Sequence, residues 1–405
     1  MKGAIRKNLL TERIDIVKPL GWYRDSPTLT DVDVKYLLLY FEENYGLTVE
    51  KKIIDAVAVI ANENRYHPVC DFLNALQWDG TERIRFCLHR FLGSDTDDYT
   101  YEALKLFLLG AISRAFKPGC KFEVMLCLVG GQGAGKSSFF RLLAVNDDWF
   151  SDDLKKLDDE NVYRKMQGHW IIEMSEMIAT ANAKSIEEIK SFLSRQKETY
   201  KIPYETHPAD RKRQYVFGGS SNTLDFLPLD RTGNRRFVPV MVCPERAEVH
   251  ILDDEAAARA YIEQMWAEAM TVYRSGKYKL SFSMEMNRYL NAHQQDFMQE
   301  DTQAGMIYAY LEDYTGDRVC SKQLYEEALG NLNSPADWET RAICEIMNTG
   351  IAGGIIQGWA AYKSPKRYKK YGSQKGWERV NQAPPEGDGF QEITEEEARQ
   401  MELPF

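Results

Sequence analysis

The feature that most constrains this chain is a glycine-rich segment at residues 130–137, which reads GGQGAGKS. It fits the pattern G-x-x-x-x-G-K-[ST], in which loop N–H groups at a helix N-terminus cradle phosphate oxygens. An apolar run of strand length, residues 124–129, precedes it, and residues 138–143 have helical spacing. Strand, loop and helix in this order predict a nucleoside triphosphate site in an α/β fold. The alternative is a chance match in a glycine-rich turn.

Each part of the segment has an expected task. Lys136 would reach the β and γ phosphate oxygens, and Ser137 would bind Mg²⁺. Glycines let the backbone come close to the phosphates. We therefore expect the nucleotide to contact the whole segment, which comprises Gly130, Gly131, Gln132, Gly133, Ala134, Gly135, Lys136, Ser137 and Ser138.

Length and composition limit the class of protein. A chain of 405 residues predicts two to three domains. Its seven cysteines form no C-x-x-C pair, which favours reduced thiols in a cytoplasmic protein without a zinc site. No apolar stretch is long enough to span a bilayer, so we expect no membrane association. The net charge of −10 argues against a uniformly basic nucleic-acid binder, but it allows a local basic patch.

Patterns along the chain divide it into four predicted segments. Residues 1–116 are predicted to be a mainly helical N-terminal domain, and residues 117–300 an α/β core with a largely parallel sheet. In residues 301–382, short helices followed by short strands have the order of a winged helix. Residues 383–405 are rich in Pro, Gly and Glu and are predicted to be a flexible acidic tail.

A second motif, residues 169–176, reads HWIIEMSE and places Glu173 and Glu176 at the end of an apolar strand. One carboxylate there can hold Mg²⁺, and another can orient or deprotonate the attacking water. The alternative is a pair of solvated charges at a strand end.

A third strand ends in Asn222, whose amide can sense the γ-phosphate or position water. Asn is also a common loop residue. Arg235 and Arg236 follow a turn, from which an arginine can reach the nucleotide of a neighbouring subunit. A structural salt bridge is the alternative for these arginines.

Two segments interleave cations with aromatic residues, a composition that suits phosphate contact and base stacking. The candidate DNA contacts are Lys201, Tyr204, His207, Arg211 and Arg213 in the first segment, and Lys366, Arg367, Lys369 and Lys370 in the second. A solvated hairpin and a solubilising charged face are the respective alternatives.

The chain contains an ordered set of motifs: GGQGAGKS, WIIEMSE, the helix with Lys190, residues 200–204, the strand ending at Asn222 and TGNRRF. This set resembles the virulence-associated protein E family. These phage and mobile-element ATPases are similar to superfamily 3 helicases of the AAA+ class. The resemblance covers roughly residues 20–380. It implies a P-loop AAA+ core, an oligomerisation or collar role for the N-terminal domain, and a ring, usually a hexamer, that moves DNA through its pore.

The resemblance also implies residue roles. Lys136 and Ser137 would bind ATP and Mg²⁺, Glu173 and Glu176 would be the acidic pair, and Asn222 the sensor. Arg235 or Arg236 would act in trans, and the 201–213 hairpin would line the pore. The two glutamates stand three apart, whereas many superfamily 3 members have adjacent acids, so the catalytic base is not assigned. No primase module is visible before residue 30, so priming would need either a partner, such as a primase or another replisome protein, or a missing segment.

The leading interpretation is therefore an ATP-dependent DNA helicase or replication initiator. Two other interpretations stay open. One is a nucleotide-dependent regulatory or defence switch that binds a protein partner, and the other is a non-motor origin-binding factor. A small-molecule kinase is disfavoured, because no lid-like arginine cluster or acceptor pocket is evident in the sequence.

Overall fold

A computed structural model of the chain describes residues 3–154, 157, 162–175, 183–200, 209–227, 234–298 and 302–380. The chain divides into two units, Met1–Gln299 and Glu300–Phe405. Glu176, Lys201, Tyr204 and His207, and the tail predicted at 383–405, lie outside the described residues. In the described ranges no helix is long and apolar enough to cross a membrane.

The first unit begins with a small sheet covered by two helices. Its elements are β1 (Ile5–Asn8), β2 (Ile14–Ile16), α1 (Asp31–Tyr45), α2 (Glu50–Glu63) and β3 (Arg65–Tyr66). Strand β1 is central, antiparallel to β2 and parallel to β3. The sequence predicted helices in this region but not these strands, because runs of two to four residues are too short to show strand alternation.

Three helices then lead into the main sheet and its surrounding elements. In chain order the elements are α3 (Pro68–Ala75), α4 (Ile84–Leu92), α5 (Asp98–Phe116), β4 (Met125–Val129), α6 (Lys136–Leu143), β5 (Phe150–Ser151), α7 (Val162–Met166), β6 (Ile171–Ser175), α8 (Ala183–Ser194), β7 (Lys197–Tyr200), β8 (Ala209–Lys212), β9 (Val216–Ser221), β10 (Phe237–Met241), α9 (Glu255–Ser275) and α10 (Met284–His293).

The main sheet has five strands in the order β10-β4-β9-β6-β5, and each neighbouring pair is parallel. This confirms the predicted α/β class with a parallel sheet. Strand β4 alternates between two cores: Leu126 and Leu128 pack with α5, α6 and α9, while Met125, Cys127 and Val129 pack with α8. Burial on both faces explains why this strand is an unbroken apolar run in the sequence.

The core on the α5 side of the sheet contains helices from both sides of residue 116, the predicted boundary between the helical domain and the α/β core. Helix α5 contributes Leu104, Phe107 and Leu108, and α6 contributes Phe139 and Phe140. Trp170, at the start of β6, is fully buried and donates its indole N–H to the carbonyl of Ala111 on α5. The helices before residue 116 thus support the same sheet that carries the glycine-rich segment.

The second unit combines helices with a three-stranded antiparallel sheet. Its elements are α11 (Thr302–Asp313), β11 (Arg318–Cys320), α12 (Ser321–Gln323) with a π-helical turn (Leu324–Ala328), α13 (Asp337–Ala352), β12 (Trp359–Ala361), β13 (Lys366–Tyr368), β14 (Gly372–Gln374) and β15 (Gly376–Arg379). The sheet order is β11-β15-β12, and β13 and β14 form a separate hairpin. The second unit has a core of its own, built around Ile307, Leu324, Ile346, Met347 and Trp377.

Candidate functional site

The predicted nucleotide segment connects β4 to α6 as a tight loop, residues 130–135, which we call the glycine loop. Gly133 and Gly135 both have φ of +81°, a left-handed conformation that glycine adopts without steric cost. Among the described residues, none has an atom within 4 Å of where a Cβ would lie on Gly131 or Gly133. The loop backbone is therefore open on the side where phosphate oxygens would approach. Of the other predicted contacts, Gln132 is exposed, Ala134 is buried and Ser138 is half-buried.

Lys136 is the first residue of α6, and its ammonium group turns back over the glycine loop. Nζ donates to the carbonyls of Gly130 and Gly131, both at 2.7 Å, and to Asn222 Oδ1 at 2.9 Å. Asn222 directly follows β9, and the Gly130 N–H donates to the Ser221 carbonyl at 3.1 Å. The end of β9 therefore lies beside the loop, which brings the predicted lysine and sensor together.

Glu173 lies on β6 with its carboxylate beside α6. Residues of a strand alternate between its faces, so Glu173 lies on the same face as Ile171, which packs in the core that α6 also lines. Ser137 Oγ donates to Glu173 Oε1 at 2.8 Å, and Ser220 Oγ donates to the same oxygen at 2.6 Å. The structure thus brings together the two residues predicted to hold Mg²⁺.

The other oxygen of this carboxylate, Oε2, is buried and has no hydrogen-bond partner in the described part of the chain. Glu173 is fully buried, and this burial raises the pKa of its carboxyl despite the hydrogen bonds from Ser220 and Ser137. A buried oxygen without a donor is costly, and a cation beside it would remove that cost. Across the described ranges, no three His, Cys, Asp or Glu side chains cluster as a protein-only metal site. One carboxylate and one hydroxyl instead fit Mg²⁺, which keeps several waters and takes ligands from substrate phosphates.

Ser220 was not predicted from the sequence. It pairs in register with Ser175 on β6, and so lies one strand away from Glu173. The sequence did contain a signal for this residue, since Ser220 is a polar residue two positions before the predicted sensor Asn222. Only the register of β9 against β6, however, identifies Glu173 as its partner.

Arg235 and Arg236 lie at the opposite edge of the sheet from the glycine loop. The Met125 N–H donates to the Arg236 carbonyl at 2.7 Å, at the start of β4. Because β4 rises about 3.3 Å per residue, its five residues separate this edge from the loop by roughly 16 Å. These arginines therefore do not reach the loop of their own chain, and a role at the nucleotide would require a second copy.

Both arginines contact Glu123, which precedes β4. Arg235 Nη2 lies 3.1 Å from Glu123 Oε1, and Arg236 Nε lies 3.5 Å from Glu123 Oε2. The Arg235 side chain remains mostly exposed, while that of Arg236 is about one-fifth exposed. The sequence pattern identified neither Glu123 nor its contact with these arginines, since the partners are more than 100 residues apart.

The first of the two segments that interleave cations with aromatic residues includes a β-hairpin. Its strands β7 and β8 pair from Lys197 with Lys212 to Tyr200 with Ala209. Arg211 is half-buried on β8. Arg213 is buried, with its side chain 1% exposed, and donates to Glu198 Oε1. Its guanidinium also lies 4.6 Å from the ring centre of Phe192. Arg213 is thus an internal anchor of the hairpin and is not placed to contact DNA, which corrects the prediction for this residue.

The basic segment of the second unit includes the β13–β14 hairpin, where its four predicted DNA contacts have different environments. Lys366 forms an ion pair with Glu378, and Lys370 with Glu326. Arg367 and Lys369 are exposed. Lys370 is exposed as well, but Glu326 offsets its charge, so Arg367 and Lys369 are the exposed cations of the four without a carboxylate partner among the described residues.

The fold and site define a mixed α/β protein with a parallel sheet whose carboxyl-terminal edge carries a glycine loop, a lysine, two serines, a buried carboxylate and an amide. The model of the virulence-associated protein E-like domain matches residues 73–299, more than half of the chain. The chain therefore belongs to the virulence-associated protein E-like family, as its motifs predicted. No curated protein matches its sequence.

One solved structure of the NrS-1 C terminal region is similar to this chain in fold. One A form apo structure aligns with a TM-score of 0.52 and 13% identity, and covers 93% of this chain and 96% of its own. A second A form structure, of residues 305–718, has a TM-score of 0.48 with the same identity and coverage. A further apo structure of that region has a TM-score of 0.44 and 12% identity, and covers 93% of this chain and 95% of its own.

Proposed function

We propose that this chain is an ATP-dependent DNA helicase that takes part in replication of a phage, prophage or satellite element. In this proposal the first unit contains a P-loop AAA+ core of the superfamily 3 type, and the second unit is a winged-helix-like DNA-binding domain. The active form is a ring, expected to be a hexamer, in the cytoplasm of the bacterial host. A primase or other replisome proteins are the expected protein partners.

The observation that carries the proposal is the convergence of two pairs at one sheet edge: Lys136 with Asn222, and Ser137 with Glu173. Parallel strands end at the same edge, and ligands of such sheets bind outside the carboxyl ends of the strands. The N-terminus of α6 and the glycine loop offer N–H donors to phosphate there. The family membership and the similarity in fold are compatible with this reading.

Each residue has a task in hydrolysis. The Lys136 ammonium would exchange the carbonyls of Gly130 and Gly131 for β and γ phosphate oxygens, which are stronger acceptors because they are charged. Ser137 Oγ and the Glu173 carboxylate would hold Mg²⁺, directly or through water. When bound, the ion neutralises charge that develops between the β and γ phosphates.

Asn222 stays in reach of Lys136 and would orient the γ-phosphate or the attacking water with its amide. The water attacks the γ-phosphorus, the bond to the β–γ bridging oxygen breaks, and ADP and inorganic phosphate leave. Glu173 and Glu176 remain the candidates for the group that takes the proton of the water. The hydrogen bonds from Ser137 and Ser220 favour Glu173 as the metal-holding residue of the two.

For DNA, the β7–β8 hairpin and the β13–β14 hairpin supply the proposed contacts. Arg211 and the predicted Lys201, Tyr204 and His207 belong to the first hairpin and its connecting segment. Arg367 and Lys369 are exposed cations of the second, and the exposed Lys370 is paired with Glu326. Cations of this kind provide affinity for phosphates that does not depend on base sequence.

The test is ATP hydrolysis with and without single-stranded DNA, together with unwinding of a labelled fork. Wild-type protein is expected to hydrolyse ATP faster with DNA and to unwind the fork, and Lys136→Ala to do neither. Lys105→Ala, which removes a lysine paired with Glu102 on α5, serves as the matched control and should behave as wild type. Hydrolysis without unwinding would favour the regulatory switch, and DNA binding that survives Lys136→Ala with no hydrolysis in the wild type would favour the origin-binding factor.

A further inference from the structure

The edge of the main sheet opposite the glycine loop carries a connected set of four side chains, Glu123, Ser194, Arg235 and Arg236, which we call the Glu123 network. Both oxygens of the Glu123 carboxylate are used in it. Oε1 receives Arg235 Nη2 at 3.1 Å, while Oε2 receives Ser194 Oγ at 3.0 Å and lies 3.5 Å from Arg236 Nε. One carboxylate therefore fixes two arginines and a serine relative to β4.

Ser194 joins the arginines to a different element. It is the last residue of α8, and its Oγ accepts a 2.9 Å hydrogen bond from Arg236 Nε. Strand β7 begins three residues later, at Lys197. The helix that leads into the β7–β8 hairpin is thereby bonded to one of the two candidate trans-acting arginines.

The return strand of the hairpin is fastened to the same region. The Arg213 N–H donates to the Gln196 carbonyl at 3.0 Å, and the Gly119 N–H donates to the Arg213 carbonyl at 2.9 Å. Gly119 lies four residues before Glu123. Because the Arg213–Glu198 pair is buried, the base of the hairpin is rigidly held, and a displacement of the hairpin would be passed to the Glu123 network.

We propose that Glu123, together with Ser194, is a positioning residue for Arg235 and Arg236. It sets the positions of the two arginines and couples these positions to DNA bound at the β7–β8 hairpin. The inference rests on the proposed function, since it assumes hydrolysis at a site shared by two copies of this chain. Neither Glu123 nor Ser194 touches the nucleotide of its own chain, because the Glu123 network lies at the far edge of the sheet. Their effect on hydrolysis is exerted through the arginines.

A purely structural ion pair gives a different expectation. The Arg235 side chain is mostly exposed, and exposed ion pairs contribute little to stability. The pair of Glu123 with Arg236 is more buried, so if Glu123 only stabilised the fold, its replacement would lower the melting temperature and leave the turnover of the folded protein unchanged. A positioning role instead predicts a loss of turnover without a matching loss of stability.

The first experiment replaces Glu123 by Gln, which keeps the size and removes the charge. We expect kcat for ATP to fall by about ten- to hundredfold, the cost of a misplaced catalytic group, with KM and the melting temperature close to wild type. Glu102→Gln, which removes a carboxylate paired with Lys105 on α5, is the control and should keep wild-type kcat. A Glu123→Gln kcat equal to that of the wild type would overturn the inference.

The second experiment separates a trans role from damage within the chain. Glu123→Gln protomers have an intact Lys136, and Lys136→Ala protomers have an intact Glu123 network. On random mixing in equal amounts, about one interface in four combines the two intact halves in a head-to-tail ring. We expect the mixture to recover about a quarter of wild-type hydrolysis, well above the average of the two variants alone. No recovery, with subunit exchange verified, would contradict the inference.

The coupling to the hairpin is tested at Ser194. Ser194→Ala is expected to lower the factor by which single-stranded DNA stimulates hydrolysis, and Ser194→Thr, which keeps the hydroxyl, is expected to restore it. An unchanged factor in Ser194→Ala would remove the coupling from the inference. Failure of the proposed function is a separate outcome, because in that case the wild-type protein itself would hydrolyse no ATP.

Discussion

Lys136 Nζ lies 2.9 Å from Asn222 Oδ1, which joins residues 86 apart in the sequence at the carboxyl edge of the parallel sheet. The amide oxygen and two loop carbonyls thus surround the ammonium group where the proposed mechanism places phosphate. In the proposed mechanism, phosphate oxygens replace the two loop carbonyls as partners of the ammonium group, while Asn222 stays within its reach.

This relationship predicts the effect of Asn222→Ala. The substitution leaves the glycine loop and Lys136 intact, so nucleotide affinity should change little. Loss of one preorganised polar group should lower kcat by about 10²-fold. Steady-state hydrolysis and equilibrium titration with a fluorescent nucleotide measure the two quantities. Asn44→Ala on the exposed face of α1 is the control, and equal losses in the two variants would contradict the assigned role.

The buried Glu173 predicts an unusual dependence of stability on pH. Burial raises the pKa of its carboxyl above the ordinary 4.5, so the folded state binds the proton more tightly than the unfolded state. The stability that this group adds is complete below pH 4.5 and is lost as pH rises through the raised pKa. Glu173→Gln removes the buried charge, and it should increase the free energy of unfolding more at pH 8 than at low pH.

Urea unfolding between pH 5 and pH 8.5, without nucleotide or Mg²⁺, measures this difference. The same variant should lose Mg²⁺-dependent hydrolysis, since Gln offers no charged ligand. A gain in stability that is constant over the pH range would show that the Glu173 carboxylate is not the titrating group.

Arg235 and Arg236 predict a loss of turnover with nucleotide binding retained. Because they lie at the edge away from their own glycine loop, alanine at the acting position should lower hydrolysis by about 10³-fold or more and leave nucleotide affinity near wild type. Separate Arg235→Ala and Arg236→Ala variants identify which arginine acts. Arg85→Ala, which breaks an exposed pair with Asp98, is the control. Wild-type turnover in both variants would exclude the trans role.

Arg213 and Arg211 lie two residues apart, and their replacement by alanine is expected to affect different properties: stability for Arg213 and DNA binding for Arg211. Arg213→Ala removes the buried partner of Glu198, which keeps Arg195 Nη1 at 3.7 Å, and it should destabilise the first unit by about 3 kcal/mol. Arg211→Ala should leave the melting temperature nearly unchanged and weaken binding of single-stranded DNA. Thermal unfolding and fluorescence anisotropy distinguish the two effects. A folded Arg213→Ala protein with weakened DNA binding alone would reverse the present assignment.

The β13–β14 hairpin predicts a measurable change in salt dependence. Each phosphate contact contributes about 0.9 to the slope of log K against log salt for duplex DNA. Arg367→Ala with Lys369→Ala should therefore reduce the slope by about 2. The matched pair Lys366→Ala with Lys370→Ala removes cations that already face Glu378 and Glu326, and its effect should be smaller. Equal slopes in the wild type and both double variants would exclude this hairpin from DNA contact.

Local patterns in the sequence predicted much of this molecule correctly. Residues 1–116 were predicted to be mainly helical, and helices α1 to α5 lie there. The helix expected around Lys190 is α8, and its apolar residues Ile186, Ile189, Phe192 and Leu193 pack in one core. These features depend on residues near each other in the chain, which is why their periodicity shows them.

The sequence did not predict which side chains from distant segments contact each other. The basic-aromatic pattern around the β7–β8 hairpin suggested DNA contact for Arg213, but burial against Glu198 and Phe192 removes it from the surface. Composition records which charges are present and not which of them face solvent. In the same way, the chain itself offers no sign that Glu123 is the partner of Arg235 and Arg236.

By itself, the sequence determined the α/β class, the family and the glycine loop with Lys136 and Ser137, because these follow from short contiguous patterns of glycine, apolar residues and charge. Only the tertiary structure decided that Glu173 meets Ser137 and Ser220, that Asn222 meets Lys136, and that the two arginines lie at the opposite edge beside Glu123. The physical reason is that strand order and register are set by packing of the whole core, so side chains far apart in the chain become neighbours only when the parallel sheet is assembled.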